Sequence, residues 1–388
     1  MNSEHQETIT QIRDTVRKVC EEFSGEYWRA KDRERAYPRE FVDRLTELGL
    51  LAALIPEEYG GSGMPISIGS AILTAIHEFG GNAGACHAQM YTMGTVLRHG
   101  SQAQKEQYLP GIAAGELRLQ AFGVTEPTAG TDTLSISTMA VRDGDKYIVN
   151  GQKVWTSRAE HSDLMVLLAR TTPKEEVKKR SDGLSVFLVD MREAMHNGMT
   201  INPIRTMINH STTEIFFDNV PIPASSLVGE EGKGFRYILS GMNAERILIA
   251  SESLGDGRYF LNKAADYARE RVVFGRPIGQ NQGIQFPIAR AFANVEAAEA
   301  ILEKACRLYE AEDPSTGTYA NMAKMLTSEA AWEAGDTCMQ TYGGFAVAEE
   351  YDIERKWREA RLYRIAPIST NLILSYFAEH VLELPRSY

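Results

Sequence analysis

Phe122-Gly-Val-Thr-Glu-Pro-Thr-Ala-Gly-Thr-Asp-Thr-Leu-Ser135, followed by Lys153-Val-Trp-Thr-Ser157, is the stretch that decides how this chain reads. Leu117 to Val124 has the composition of a short β segment, and it runs into a polar turn rich in Thr, Gly and Pro. Small residues let a backbone approach a ligand closely, and the hydroxyls and amides of such a turn are ready donors for phosphate or a heteroaromatic ring. Composition alone also describes an ordinary surface loop. The order of the residues, and what lies on either side, must carry the reading.

Upstream the pattern is helical. Ile9, Ile12, Val16, Val19 and Phe23 form one apolar stripe that predicts a helix within 6–32. Pro38 suits the first turn of a second helix that Gly49 ends. Leu48 to Gly61 is a buried run closed by Pro and Gly-Gly, and helices are expected at 66–79 and 86–98. From about 117 the period shortens. Arg142-Asp-Gly-Asp145 and Asn150-Gly151 read as hairpin turns flanking Lys146 to Val149, with further strands at 163–170, 184–190, 198–204 and 213–219. Helical periodicity returns at Gly234 and holds to Leu382, interrupted near 275–283, 312–318 and 342–350. The expected organisation is an all-α domain (1–116), an antiparallel β domain (117–229) and a second all-α domain (230–388).

The 388 residues allow two or three domains, and 43% hydrophobic with 24% charged residues is a globular composition. The longest apolar run, around Leu48 to Ile55, is too short to span a bilayer. The first residues are polar and acidic, with neither a secretory nor a transit pattern, so a cytoplasmic protein is expected. A net charge of −11 argues against nucleic acid or an anionic membrane as a main partner. Cys20, Cys86, Cys306 and Cys338 are scattered, without C-x-x-C, and read as reduced core thiols. No metal site is expected: His77-Glu78 lacks the second His of a zinc helix, and Cys86-His87 has no further partners. Gly229-x-x-Gly-x-Gly234 follows no βαβ pattern and is not a dinucleotide fingerprint.

Gly-Val-Thr-Glu-x-x-Ala-Gly-Thr-Asp-x-x-Ser, residues 123–135, resembles the signature of acyl-CoA dehydrogenases, and Trp155 follows at that family's spacing. Arg271-Val-Val-Phe-Gly-Arg-Pro-Ile-Gly-Gln-Asn-Gln282 and Gln340-Thr-Tyr-Gly-Gly344 are similar to two further family elements. After the latter, Phe345-Ala346-Val347 departs from the usual x-Gly-aromatic. The resemblance implies a helical N-terminal domain, a middle antiparallel β domain and a C-terminal domain like a four-helix bundle. It implies FAD, with contacts from Phe122, Val124, Thr125, Gly130 and Thr131. Thr125 falls at the pyrimidine side of the ring, and Gly130 and Thr131 by the pyrophosphate and the thioester arm. Trp155 would back the ring, and Ser157 stands where the family typically has a Thr bonded to flavin N5. Arg271, Phe274 and Gln282 would reach the adenosine half of FAD from a neighbouring subunit, with Gln340, Gly343 and Gly344 beside it. A homotetramer and an electron-transfer flavoprotein as electron acceptor follow from the same resemblance.

The sharpest departure is Leu362-Tyr-Arg-Ile-Ala-Pro-Ile-Ser-Thr-Asn371. Most of the family has Glu-Gly-Thr here, and that Glu is the catalytic base. Pro367 falls at the Glu, Ile368 at the Gly and Ser369 at the Thr; Ser369 and Asn371 are assigned to the cofactor side. Proline can neither take a proton nor donate an N–H, whereas the resemblance implies that this residue's amide, with a ribityl hydroxyl, polarises the thioester carbonyl. Either another amide takes over, such as that of Ile368, or the oxyanion site is rebuilt. The base must come from elsewhere. Ile238, Met242, Glu245 and Ile249 are spaced 4, 3, 4 and share one helix face, so Glu245 is a carboxylate on an apolar stripe. A buried ion pair would explain it as well, but Asn243-Ala-Glu-Arg246 resembles the Asp-x-Glu-Arg of isovaleryl-CoA dehydrogenase, whose catalytic Glu lies on this helix. Asn243, Arg246 and Thr131 then fall on substrate-contacting positions. The expected activity is α,β-dehydrogenation of an acyl-CoA, or of an acyl-carrier-protein thioester, with Glu245 as base and a branched or otherwise non-straight acyl group favoured over butyryl. The same fold could act as an oxidase or monooxygenase using oxygen, or as an enoyl-CoA reductase. A flavin-less acyl-thioester-binding subunit is the reading outside catalysis.

Overall fold

The alternating segments after residue 117 pair into one eight-stranded sheet. The computed structural model, which describes residues 3–387, gives its strands as β1 (Leu119–Gly123), β2 (Met139–Asp143), β3 (Lys146–Ser157), β4 (Leu164–Arg170), β5 (Leu184–Asp190), β6 (Met199–Pro203), β7 (Thr212–Pro223) and β8 (Leu227–Val228). Their spatial order is β6-β7-β3-β2-β4-β5-β8, and β1 lies beside β4. The ladders are antiparallel except for β1–β4 and the lone Met139–Arg170 pair between β2 and β4.

β4 reads Leu-Met-Val-Leu-Leu-Ala-Arg because both of its faces are covered. Leu164, Val166 and Leu168 pack with Met93, Val96 and Ile112 from the helices Gly84–His99 and Gln102–Ala114. Met165, Leu167 and Ala169 pack on the other side with Tyr147, Phe187 and Phe217. The β1 register shifts between Leu119 and Ala121, so Phe122 rather than Ala121 shares the side of Leu119. That shift decides which way the strand delivers the loop after it.

The Asn150-Gly151 pair is not the hairpin turn its composition suggests; β3 runs through it. A Cβ added to Gly151 would stand 2.5 Å from Thr138 Oγ1, and the β3–β7 register shifts between Val149 and Gly151. The glycine marks a bulge and a close backbone approach rather than a reversal. The other turn is a true hairpin, with Gly144 at φ +63° joining β2 to β3.

This sheet belongs to one compact unit, Arg35–Met64 with Gly84–Met242. Beyond the strands it holds the helices Arg39–Glu47, Gly84–His99, Gln102–Ala114 and the short, unforeseen Met191–His196. A second unit, formed by the chain up to Glu34, Pro65–Ala83 and the residues from Asn243 onward, is helical. Its elements include Ser3–Glu22, Gly25–Glu34, Ile66–Glu78, most of the long helix Gly234–Glu270, Gln282–Glu310, Thr316–Tyr342, Ile353–Tyr363 and Thr370–Tyr376. The single helix expected in 6–32 is thus two, broken after Glu22. A break at 364–369 was not expected from periodicity at all.

Buried charges in the helical unit come as a connected set. Asp256 accepts from His77 Nδ1 at 2.8 Å and pairs with Lys356 at 2.6 Å. Lys356 and Arg355 both reach Glu359, at 3.2 and 2.9 Å. The Ala83 N–H donates to His77 Nε2, so the imidazole proton sits on Nδ1, facing Asp256. The four cysteines are buried and unbridged. Among the described residues, no helix is long and apolar enough to cross a membrane.

Candidate active site

The Thr/Gly loop after β1 is held from below by an ion pair. Lys153 lies on the inward side of β3, and its Nζ meets Glu126 Oε1 at 2.8 Å, with both side chains out of solvent. The same carboxylate accepts from the Ser137 amide and hydroxyl at 2.7 and 2.8 Å, and from the Thr138 amide at 2.9 Å. Burial opposes ionisation of Glu126, but the Lys153 charge and these hydrogen bonds outweigh it and hold the carboxyl well below its usual range. Lys153 also donates to the Val124 carbonyl at 3.0 Å, and the Val154 N–H to the Thr125 carbonyl at 2.9 Å. The backbone of Val124 and Thr125 is therefore clamped to β3, while the Thr125 hydroxyl takes no partner among the described residues.

Two residues further along β3, the register against β7 shifts between Val154 and Thr156. Trp155 sits in that bulge at φ +61° and is 60% exposed. A bulky residue in the left-handed region, with its indole turned out of the protein, is unusual and marks a surface built to meet something flat. Ser157 closes the strand, half-buried, opposite Thr212. Phe122 packs edge-on against Tyr91, with ring centroids 5.2 Å apart. Thr131 and Gly130 are exposed, and a Cβ at Gly130 would meet nothing within 4 Å.

Along the long helix Gly234–Glu270, the expected stripe is observed: Ile238 and Ile249 are buried, Met242 half-buried, and Glu245 is 7% exposed. Burial pushes the Glu245 carboxyl up to about 7, against the opposing charge of Arg246. Arg246 is buried beside it; its Nη1 donates to Asn243 Oδ1 at 3.2 Å, and its Nε is buried with no partner among the described residues. Asn243, Glu245 and Arg246 thus form one polar cluster on the long helix.

A raised carboxyl pKa has a definite sign in stability. Between the ordinary value of 4.5 and about 7 the folded chain holds a proton that the unfolded chain has lost, so stability falls as pH rises through this window. The shift corresponds to roughly 3 kcal/mol at most. Glu245→Gln removes the ionisation. Its melting temperature should match wild type near pH 4.5 and exceed it increasingly toward pH 8; parallel melting curves across that range would contradict the burial argument.

In the helical unit, Arg271 directly follows the long helix and its guanidinium lies 5.5 Å above the Phe345 ring. Tyr267 stacks on Tyr342 with centroids 4.0 Å apart. These contacts bring the Arg271–Gln282 element together with Gln340–Gly344. Phe274 is fully exposed at φ +53°, Arg271, Gln282 and Gln340 are exposed, and a Cβ at Gly343 or Gly344 would meet nothing within 4 Å. Ser369 accepts from the Leu372 N–H through its hydroxyl at 3.4 Å, and Asn371 is exposed. Within the sheet unit, Gly130 and the uncovered Trp155 leave open backbone beside a flat aromatic face, and within the helical unit Gly343 and Gly344 leave open backbone, with Phe274 uncovered.

Glu126 and Lys153 were not singled out from sequence, although both lie inside the quoted motifs. The signal was present: Lys153 falls on the same inward side of β3 as Tyr147 and Val149, and an inward-facing lysine needs an acid.

Sequence profiles of the acyl-CoA dehydrogenase N-terminal, middle and C-terminal domains match residues 6–116, 121–220 and 232–381. The acyl-CoA dehydrogenase FadE12 of Mycobacterium tuberculosis is 34% identical over 385 residues, covering 97% of this chain and 96% of the relative. A cyclohex-1-ene-1-carbonyl-CoA dehydrogenase of Syntrophus aciditrophicus is 34% identical over 383 residues, covering 94% and 91%. Among solved structures, a chain from work on the electron transferring flavoprotein of Acidaminococcus fermentans superposes with a TM-score of 0.92 at 29% identity, covering 98% of this chain and 100% of that one. With the three family domains matched in succession along a fold that superposes end to end, the chain belongs to the acyl-CoA dehydrogenase family of oxidoreductase flavoproteins.

Proposed function

We propose that this enzyme is an FAD-dependent dehydrogenase that converts an acyl-CoA to its trans-2-enoyl-CoA, with Glu245 as the base for the α proton. The observation that carries the reading is a desolvated carboxylate with a pKa near 7 on an otherwise apolar helix face. A group that must take a proton from carbon near neutral pH needs this poise. Residues 366–368 are Ala, Pro and Ile and offer no base.

FAD would be held by Phe122, Val124, Thr125, Gly130, Thr131, Trp155 and Ser157, and by Arg271, Phe274, Gln282, Gln340, Gly343, Gly344, Ser369 and Asn371. Trp155 supplies the aromatic wall, the glycines supply close backbone approach, and Arg271 supplies a fork for phosphate oxygens. When bound, FAD would supply the acceptor for the β hydride. The chain does the rest: Asn243 and Arg246 hold the thioester, and apolar side chains of the Glu245 face exclude water. A Glu245 carboxylate oxygen receives the α proton.

The acyl group we favour is branched or cyclic rather than straight, which the name of the Syntrophus relative supports. Turnover over a panel of acyl-CoAs tests this. A branched or cyclic member should be best, and best turnover on butyryl-CoA would overturn the preference. An electron-transfer flavoprotein would collect the electrons, a reading that the Acidaminococcus likeness supports. We place the enzyme in the cytoplasm, as a homotetramer with domain borders at 116/117 and 229/230.

The full exposure of Phe274 supports an adenosine site shared between copies. Arg271→Ala should therefore lose FAD and tetramer together, read by gel filtration with flavin absorbance. A monomer that keeps its full FAD content contradicts the shared site.

A further inference from the structure

Lys324, on the helix Thr316–Tyr342, is completely buried, yet its ammonium is matched to no carboxylate hydrogen-bond partner among the described residues. Its Nζ donates instead to a backbone oxygen, the carbonyl of Ile368, at 2.7 Å. Burial pulls its pKa down to about 8, with Glu329 opposing and Arg246 and Arg364 reinforcing the fall. A charge kept in so unfavourable a place is explained by what it holds.

What it holds is the break 364–369, where Pro367 stands and where periodicity gave no warning of an interruption. Pro367 has no N–H, and its peptide with Ala366 is cis. The next peptides are trans, so in each the N–H points opposite to the C=O. Pinning the Ile368 oxygen therefore aims the Ser369 N–H away from Lys324. That N–H donates to no acceptor among the described residues, while the Ser369 hydroxyl is already engaged with the Leu372 N–H. The same neighbourhood contains the base: Lys324 feels the charge of Arg246, and Arg246 feels that of Glu245. Two buried polar atoms there, Arg246 Nε and Asn321 Oδ1 one turn before Lys324, have no partner among the described residues. Such unmet buried polar atoms leave hydrogen-bonding capacity for a ligand.

We propose that Lys324 is a positioning residue, holding the Ile368–Ser369 peptide so that the Ser369 N–H serves the thioester carbonyl oxygen in place of the amide that Pro367 cannot supply. The proposal rests on the dehydrogenase reading above. As the α proton leaves, negative charge grows on that oxygen, and an amide fixed in advance stabilises it more than one that must reorient. The ammonium also polarises the peptide, which strengthens its N–H as a donor.

The test uses the FAD-loaded enzyme and a non-oxidisable acyl-CoA analogue with a ¹³C-labelled thioester carbonyl. In wild type, the infrared carbonyl band should move to lower frequency on binding. Lys324→Met, of similar length and without the ammonium, should bring the band back toward its free position and lower kcat about 10–10²-fold with little change in KM, somewhat less than loss of a whole oxyanion donor. Lys324→Arg, if it keeps the contact, should retain most of the shift. A Lys324→Met enzyme that is less stable but keeps the wild-type band and a kcat within twofold overturns the proposal.

Should Lys324→Met fail to fold, Ser369→Pro against Ser369→Ala answers the same question, since both lose the hydroxyl and only the first loses the N–H. The φ of Ser369, −70°, suits proline. A larger loss of band shift in the proline variant supports the proposal, and equal shifts in both overturn it. If no acyl-CoA reduces the flavin of wild type, the dehydrogenase reading itself fails, and the band of the bound analogue tells the two failures apart.

Discussion

Glu245→Gln is expected to lower kcat on the preferred acyl-CoA by roughly 10²–10⁴-fold, the usual worth of a general base. Glutamine keeps the shape of the side chain and much of its hydrogen-bonding capacity, so substrate binding and KM should change little. It lacks a basic oxygen lone pair that can hold a proton near neutral pH. No neighbour in the cluster can take over, because Asn243 is an amide and Arg246 a guanidinium. The profile of kcat/KM against pH in wild type should rise with an apparent pKa near 7, the value to which burial pushes Glu245. In the variant that limb should vanish. The variant should also remain yellow, which separates loss of the base from loss of the cofactor.

Lys153→Met is expected to cost about 3–5 kcal/mol of stability and most of the bound flavin, because it strands a buried carboxylate. Glu126 would keep its hydrogen bonds from Ser137 and Thr138 but lose the charge that pays for its burial. The loss reaches the loop as well, since Lys153 Nζ is also the clamp on the Val124 carbonyl. Glu126 would then draw a proton at higher pH, so the variant should be weakest at alkaline pH and partly recover on mild acidification. The double variant Glu126→Gln/Lys153→Met should be more stable than Lys153→Met alone, because no unpaired charge remains. Chemical denaturation and flavin content, measured on the same samples, decide this. If Lys153→Met melts with wild type and keeps its flavin, the pair does not anchor the loop.

Much of the fold was legible because burial imposes simple periods. The apolar run of β4 and the stripe at Ile238, Met242, Glu245 and Ile249 follow from which faces are covered. Local chemistry misled where long-range contacts overrode it. Asn150-Gly151 has the composition of a turn, yet Thr138 pressing on Gly151 makes it a bulge within a strand. The break at 364–369 was hidden because Tyr363 and Ile373 continue an apolar pattern across it, and its anchor, Lys324, is forty residues earlier in the chain.

The site was legible unevenly for a related reason. Glu245 stood out as a charge on an apolar face, but its role as base came from resemblance and not from spacing. Trp155 was found by its position in a motif, whereas its exposure and positive φ arise from a register shift that no local pattern records. Glu126 and Lys153 lie 27 positions apart and make sense only as a pair.

The central claim is that Glu245 takes the α proton, and anaerobic mixing of wild type and Glu245→Gln with the preferred acyl-CoA tests it most directly. Flavin absorbance is followed through one turnover, and the product is weighed. The account predicts that wild type bleaches and yields a thioester lighter by two hydrogens, while Glu245→Gln binds the acyl-CoA with a spectral perturbation and stays oxidised. Bleaching of Glu245→Gln at close to the wild-type rate would contradict it and assign the base to another residue.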